Sequence, residues 1–310
     1  MTDSAERGTR NEERGTRNES HRFSIFGSAV VGRRSSVVGR RSSVSGQRSW
    51  LRWLLIGIVV TYVAVIILAP LGALVAGAFA GGVEGIVTAL GEPDVLSAFW
   101  RTLLIGIIVI LVHAICGTMV AWVLVRHQFR GRRLLNGLID LPFAVSPVVA
   151  GYMLLLLFGR RGLLAPVLEA AGIKVAFALP GMLLATLFVT LPFMVRELMP
   201  VLHAFGIEQE QAAATMGASG WQTFRHVTFP ALRWAFLYGL TLTFARALGE
   251  FGAVLVIGGG VQGQTETATL YIFRALDDRQ YIGAYSAALA LGLISLLLVL
   301  GADLLRRKEE

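Results

Sequence analysis

The chain has 310 residues, of which 55% are hydrophobic and only 15% charged, against roughly 25% charged in ordinary globular chains. Apolar runs near or above the ~20 residues that cross a bilayer as a helix alternate with short charged stretches, which excludes an ordinary soluble domain. The net charge of +8 rests almost wholly on arginine, Lys174 and Lys308 being the only lysines; it is read as the basic flanks of membrane segments, not as a nucleic-acid surface.

The N-terminal part is low in complexity. ERGTRNE occurs at Glu6–Glu12 and again at Glu13–Glu19, and VVGRRSS at Val30–Ser36 and again at Val37–Ser43. Such polar repeats bury too little to form a core, so residues 1–49 are expected to be a disordered basic tail and 50–310 the membrane domain. A secretory signal is disfavoured, because the first apolar run starts only near Trp50 and is too long for an h-region.

Six spans are predicted in an all-α, multi-pass helix bundle: Leu54–Ala80, Thr102–Val125, Leu138–Phe158, Leu179–Leu198, Leu232–Ile257 and Gly283–Leu305. Pro70, Pro142, Pro147 and Pro192 fall within or near them and are tolerated in lipid where neighbouring helices satisfy the freed carbonyls. Gly77 and Gly81 form a G-x-x-x-G, a weak sign of close helix packing. In the second run Cys116 is read as a small buried hydrophobe, and His113 as a buried histidine bonded to a neighbouring helix. Arginine is rich before the first span, at Arg126, Arg130, Arg132 and Arg133 after the second, and at Arg306 and Arg307 near the C-terminus. The positive-inside rule then puts both termini, and the segment Met199–Arg233, in the cytoplasm. Arg160, Arg161 and Lys174, in the second outside loop, run against this bias.

The connection between the fourth and fifth spans is too polar to cross and too patterned to be a passive linker. Glu208–Met216 favours helix, with carboxylates in the first turn where the helix dipole favours them. Gly217 supplies a left-handed stop. Ser219 and Gln222 form a capping-box pair for a second short helix. Trp221 and Phe224 are three apart and share a face, Ala212 and Ala213 leave room for another backbone, and Pro230 suits the first turn of the next span. On these grounds alone the segment is either an amphipathic surface helix pair or a dock for a soluble partner. In the fifth span Arg246 and Glu250 lie four apart; they are read as a structural or gating pair in preference to a direct substrate contact, because a charge at mid-bilayer is costly unless paired or turned inward.

The loop resembles the EAA loop of ABC-importer permeases: E-A-A, three residues, G, nine residues, I, one residue, L-P. The pattern falls on Gln211, Ala212, Ala213, Gly217, Val227, Phe229 and Pro230, with Gln, Val and Phe replacing Glu, Ile and Leu; Glu210 adjoins the leading Gln211. The resemblance implies a type I permease fold and a coupling helix, here Glu210–Pro230, seated on an ATP-hydrolysing subunit. It spans residues 50–310 and is closest to permeases for sulfate, thiosulfate, molybdate and tungstate, through Ala218–Trp234, Ala245–Gly259 and Gly263–Phe273. The GEFG segment followed by T-x-T is most similar to CysW-type sulfate permeases, with molybdate or tungstate as the alternative cargo.

The resemblance further implies alternating access, a second homologous or identical permease chain, and an extracytoplasmic oxyanion-binding protein. Neither lysine sits in a G-x-x-x-x-G-K-[ST] phosphate loop, so ATP-Mg is expected on a separate subunit and no cofactor on this chain. No paired Cys/His spacing or catalytic pair stands out, so the chain is read as a transport subunit and not an enzyme. An ion-coupled secondary transporter, the remaining rival, would show more intramembrane carboxylates and broken helices repeated in two halves.

Overall fold

The computed structural model describes residues 49–307, so the repeated tail and Lys308 lie outside the described residues. The chain divides into two units, 1–67 and 68–310. Within the first, the described residues belong to a long apolar helix, α1 (Ser49–Ala78), which runs on into the second. All described secondary structure is helical.

The second unit continues through a 3₁₀ turn (Phe79–Gly81) into α2 (Gly82–Leu90), then α3 (Pro93–Val112), a π-turn (His113–Gly117) and α4 (Thr118–Arg126). Next come α5 (Arg132–Ala144), α6 (Pro147–Phe158), α7 (Ala165–Ala170) and α8 (Leu179–Phe205). The chain ends with α9 (Glu208–Thr215), α10 (Gly220–Thr223), a second π-turn (Phe224–Thr228), α11 (Phe229–Leu248), α12 (Gly252–Gly258), α13 (Ala268–Asp277) and α14 (Tyr281–Arg307). Four helical stretches are long and apolar enough to cross a membrane: Arg52–Leu90, Pro93–Arg126, Leu179–Phe205 and Tyr281–Leu304. Two bent pairs bring the number to six.

Those bends correct two expectations. The third span is not one helix but α5 and α6, turned by 115°. Pro147 disfavours helical geometry in the residue before it, and Val145 and Ser146 are accordingly extended, with ψ of 131° and 138°. The fifth span breaks by 56° between α11 and α12, where Gly249, Glu250 and Phe251 leave the helix. Arg246 and Glu250 therefore do not share one continuous helical face.

α8 is the central element, half buried along its most apolar window. Toward its C-terminal end Met194, Val195, Leu198 and Leu202 pack with Ala121 and Leu124 of α4, Ile139 of α5 and Leu232 of α11. Nearer its start Ala185 and Val189 pack with Ala150 of α6 and Ala253 and Ile257 of α12. Small residues permit the closest approaches. Tyr285 occupies the space over Gly77, and Ile282 the space over Gly81, so the G-x-x-x-G does face another helix. At Gly151 a Cβ would stand 2.6 Å from the carbonyl oxygen of Ala253 and 3.0 Å from its Cα. Backbone cannot swing aside as a side chain can, so Gly151→Ala is expected to cost about 1–3 kcal/mol, the usual range for overpacking. A lowered thermal midpoint of the purified protein is the check; an unchanged midpoint would contradict this packing.

The π-turn also corrects the reading of Cys116. Its extra residue turns His113 and Gly117 inward, while Ile115 and Cys116 are exposed on the outside of the bundle. His113 is buried as expected, its Nε2 3.0 Å from Thr190 Oγ1 on α8.

Candidate functional site

The loop between α8 and α11 folds as the residues prescribe. Gly217 has φ +88°, a left-handed conformation that glycine adopts without a Cβ penalty. Ser219 caps α10 in a capping box: its N–H donates to Gln222 Oε1 at 2.8 Å, and Gln222 N–H donates to Ser219 Oγ at 3.4 Å. Pro230 lies in the first turn of α11, directly after the π-turn Phe224–Thr228. The Trp221 and Phe224 rings stack with centroids 5.8 Å apart.

What the loop turns inward is as informative as what it shows. Glu210 lies on the inward side of α9, and its Oε1 takes an ion pair from Arg126 Nη2 at 2.9 Å and a hydrogen bond from Thr228 Oγ1 at 3.0 Å. Arg126 ends α4 and also donates to the Leu202 carbonyl at 3.2 Å, so one guanidinium ties α4, α8 and the loop together. Its carbon also lies 5.6 Å from the ring centre of Trp122, and Trp122 meets Phe224 edge-on at 5.6 Å. Phe224 is thus half-buried, and Trp221 carries the exposed part of the aromatic face (68% accessible) beside the exposed Met216. Ala213 is buried while Gln211 and Ala212 are exposed, so the two alanines divide their work: one seats the helix and the other lines its outer surface. A shallow groove bounded by Met216, Gly217, Gln222 and His226 runs alongside.

Sequence reading missed Arg126 as a partner, because 84 residues separate it from Glu210; it entered only as one of the arginines that orient the chain. A second anchor was missed too. Arg196 on α8 donates from Nε to Asp140 Oδ1 at 2.7 Å and from Nη1 to Asn136 Oδ1 at 3.0 Å, fixing α5 to the central helix.

At the break between α11 and α12, Arg246 Nη1 lies 2.8 Å from Glu250 Oε2, an ion pair whose geometry is not that of an aligned hydrogen bond. Glu250 Oε1 accepts from the Ala253 N–H at 3.0 Å, capping the start of α12, and Thr269 Oγ1 donates to the Glu250 carbonyl at 2.7 Å. The Glu250 side chain is almost fully buried, and that of Arg246 is 30% exposed. Beyond the break the Gly263–Phe273 motif is also tied down. Ala268 N–H donates to Thr102 Oγ1 at 2.8 Å, Arg101 donates to the Gly263 and Glu266 carbonyls, and the buried Glu266 pairs with Arg274 at 2.6 Å. The hydrogen bonds from Arg274 to Glu266 raise the pKa of its guanidinium further. Among the described residues no cluster of His, Cys, Asp or Glu has the makings of a metal site.

The family of binding-protein-dependent transport system inner membrane components matches residues 113–308. This chain belongs to that family. The permease is 48% identical over 242 residues to the sulfate transport system permease protein CysW of Synechococcus elongatus, covering 78% of this chain and 85% of the relative. It is 43% identical to CysW of Escherichia coli K12 (84% and 90% covered), and 44% identical to the chloroplastic sulfate permease 2 of Chlamydomonas reinhardtii (80% and 67% covered). Among solved structures, a bacterial ABC transporter that imports the acidic polysaccharide alginate shares the fold, with a TM-score of 0.71 at 18% identity over 84% of this chain and 96% of that one.

In this permease a substitution at Gly217 meets no steric obstacle, since nothing lies within 4 Å of a Cβ built there. Its whole cost is conformational, about 1–2 kcal/mol for an L-residue held left-handed. Gly217→Leu is therefore expected to leave the bundle folded while re-aiming α10 and Trp221. Uptake should fall while the circular dichroism spectrum is kept; unaffected ATP-dependent uptake would refute a role for this turn.

Proposed function

We propose that the chain is one permease subunit of an ATP-driven importer for sulfate or thiosulfate. The observation that carries the reading is the division of the Glu210–Pro230 loop into an inner face locked to the bundle through Glu210, Ala213 and Phe224, and an outer face presenting Trp221, Met216 and Gln211. A flexible surface loop would not need the buried ion pair. A loop that transmits motion does, because displacement of α10 must pass to α4 and α8 without slack. The relatives named as sulfate permeases support the cargo.

On this reading the outer face docks on an ATPase subunit that binds ATP-Mg, and both loop and termini are cytoplasmic. A second permease chain completes the pathway, and an extracytoplasmic binding protein delivers the anion. High affinity belongs to that protein, so the pathway need only offer a weakly attractive polar route. The Arg246–Glu250 pair fits this need: Glu250 repels a dianion and offsets the charge of Arg246, making the pair a structural hinge at the α11–α12 break.

The test is uptake of labelled sulfate by the complete transporter in proteoliposomes. Uptake that requires internal ATP and survives excess molybdate is expected. Preferential molybdate transport would overturn the cargo, and uptake driven by an ion gradient without ATP would overturn the importer reading.

A further inference from the structure

The three cations that run against the charge bias meet in one place. Arg160, Arg161 and Lys174 line a cavity of about 550 Å³ between the end of α6 and the start of α8, together with Leu155, Leu156 and Phe177. Among the described residues none of the three cations forms an ion pair. Glu169 is the one carboxylate on the lining, so the cavity keeps a net positive charge. It lies at the opposite end of α8 from the coupling loop, and 27 residues of helix separate the two by about 40 Å, a full bilayer.

The wall of this cavity is built and not incidental. Phe177 holds φ +55°, a strained setting for an aromatic residue. Its N–H donates to the Ile257 carbonyl at 2.7 Å, and its ring occupies the space over Gly259. The surroundings are apolar. Leu156, Leu163, Val167 and Ile173 are exposed beside the cations, Leu163 by 85%. Cations above a ledge of exposed aliphatic side chains, at the end of an apolar span, match a membrane interface. The volume lies in the range of about 300–1,000 Å³ that holds ligands larger than an inorganic anion.

We propose that this cavity binds the phosphate headgroup of an anionic phospholipid, with Arg160, Arg161 and Lys174 on the phosphate and the Leu155–Leu156 wall against the upper acyl chains. Arginine pairs with phosphate in a bidentate fork, and lysine adds a point charge to the same group. The site explains why three cations stand where orientation disfavours them.

The experiment uses the assembled transporter, in detergent doped with equal amounts of phosphatidylglycerol and phosphatidylcholine, with retained lipid counted by native mass spectrometry. Wild type is expected to retain phosphatidylglycerol in preference to phosphatidylcholine. The triple variant R160Q/R161Q/K174Q should lose that preference by about tenfold or more, since it removes all three charge-assisted contacts to the phosphate. Arg130→Gln, which removes a cation from the opposite end, should keep it, and R160K/R161K, which keeps the charges and loses the forks, should keep part of it. Equal retention by wild type and the triple variant would overturn the proposal. Displacement of the lipid by millimolar sulfate or inorganic phosphate would also overturn it, assigning the site to a free oxyanion. So would unchanged lipid retention with weakened capture of the binding protein, which would make the surface a protein dock. Lipid retention is read without transport, so it stands or falls separately from the identity of the cargo.

Discussion

Glu210→Ala is expected to abolish most ATP-dependent uptake and to lower the stability of the permease. The carboxylate and the Arg126 guanidinium are 2.9 Å apart with side chains only 15% and 9% exposed. Removing one partner of a buried pair strands the other charge, at about 3–5 kcal/mol, and the residual solvent contact puts the effect toward the lower end. Arg126 has little to fall back on. Its Nε is already buried without a partner, and its remaining bond is to the Leu202 carbonyl. Thr228 would lose its acceptor as well. A large fall in uptake is expected because the link from the loop to α4 and α8 is cut, together with a lower thermal midpoint. Replacing both partners by apolar residues separates stability from coupling. The variant R126M/E210L should recover most of the stability, because packed apolar side chains replace buried ion pairs at little cost. Its uptake should stay low, because a packed contact is not a fixed strut. Full recovery of uptake along with stability would reduce the pair to packing, and normal behaviour of Glu210→Ala itself would remove it from the mechanism.

The strut also marks the limit of what the sequence discloses. Everything in the coupling loop that depends on neighbours in the chain was legible: the glycine stop at Gly217, the Ser219–Gln222 box, the Trp221–Phe224 stack and Pro230 at the start of α11. Each is set by backbone sterics or by side chains three residues apart. The division into inner and outer faces was not legible, because it is decided by α4. Phe224 and Trp221 look equivalent in sequence, and only Trp122 makes one an anchor and leaves the other free. The spans were legible as apolar runs, but the bends in the third and fifth were not. Proline in a membrane helix is compatible with either a kink or a break, and the outcome at Pro147 rests on what α6 gains against α8 and α12. Cys116 was misjudged for a related reason: a π-turn shifts the helical phase, and its apolar sequence gives no sign of it. Arg101 went unassigned because its partners are backbone carbonyls 162 and 165 residues away, and the Glu266–Arg274 pair because its eight-residue spacing matches no helical period and depends on where α13 begins.

Glu250→Ala is expected to be the other large lesion, acting at the break in the fifth span. Three interactions end there: the ion pair with Arg246 at 2.8 Å, the cap on the Ala253 N–H, and the bond from Thr269 to the Glu250 carbonyl. The alanine keeps only the last. It leaves an N–H of α12 bare, at about 1–3 kcal/mol, and Arg246 unneutralised, a charge whose 30% exposure softens the added cost, so failure to assemble is expected, read as loss of the permease from the purified complex. Glu250→Gln discriminates further. Its amide oxygen still caps α12, so assembly should survive, but Arg246 then carries an unneutralised positive charge, which on the proposed reading adds to the polar route. A dianion should bind more tightly and leave more slowly, lowering both KM and kcat. The double variant R246Q/E250Q removes both charges and keeps the cap. If the pair is a hinge, this variant assembles and transports to within a few-fold of wild type, which is the expected result. If it assembles and fails to transport, Arg246 attracts the anion directly. The burial of Glu250 favours the hinge: its carboxylate is already committed to the backbone of α12, and a group that holds a broken helix together is poorly placed to release and capture substrate in each cycle.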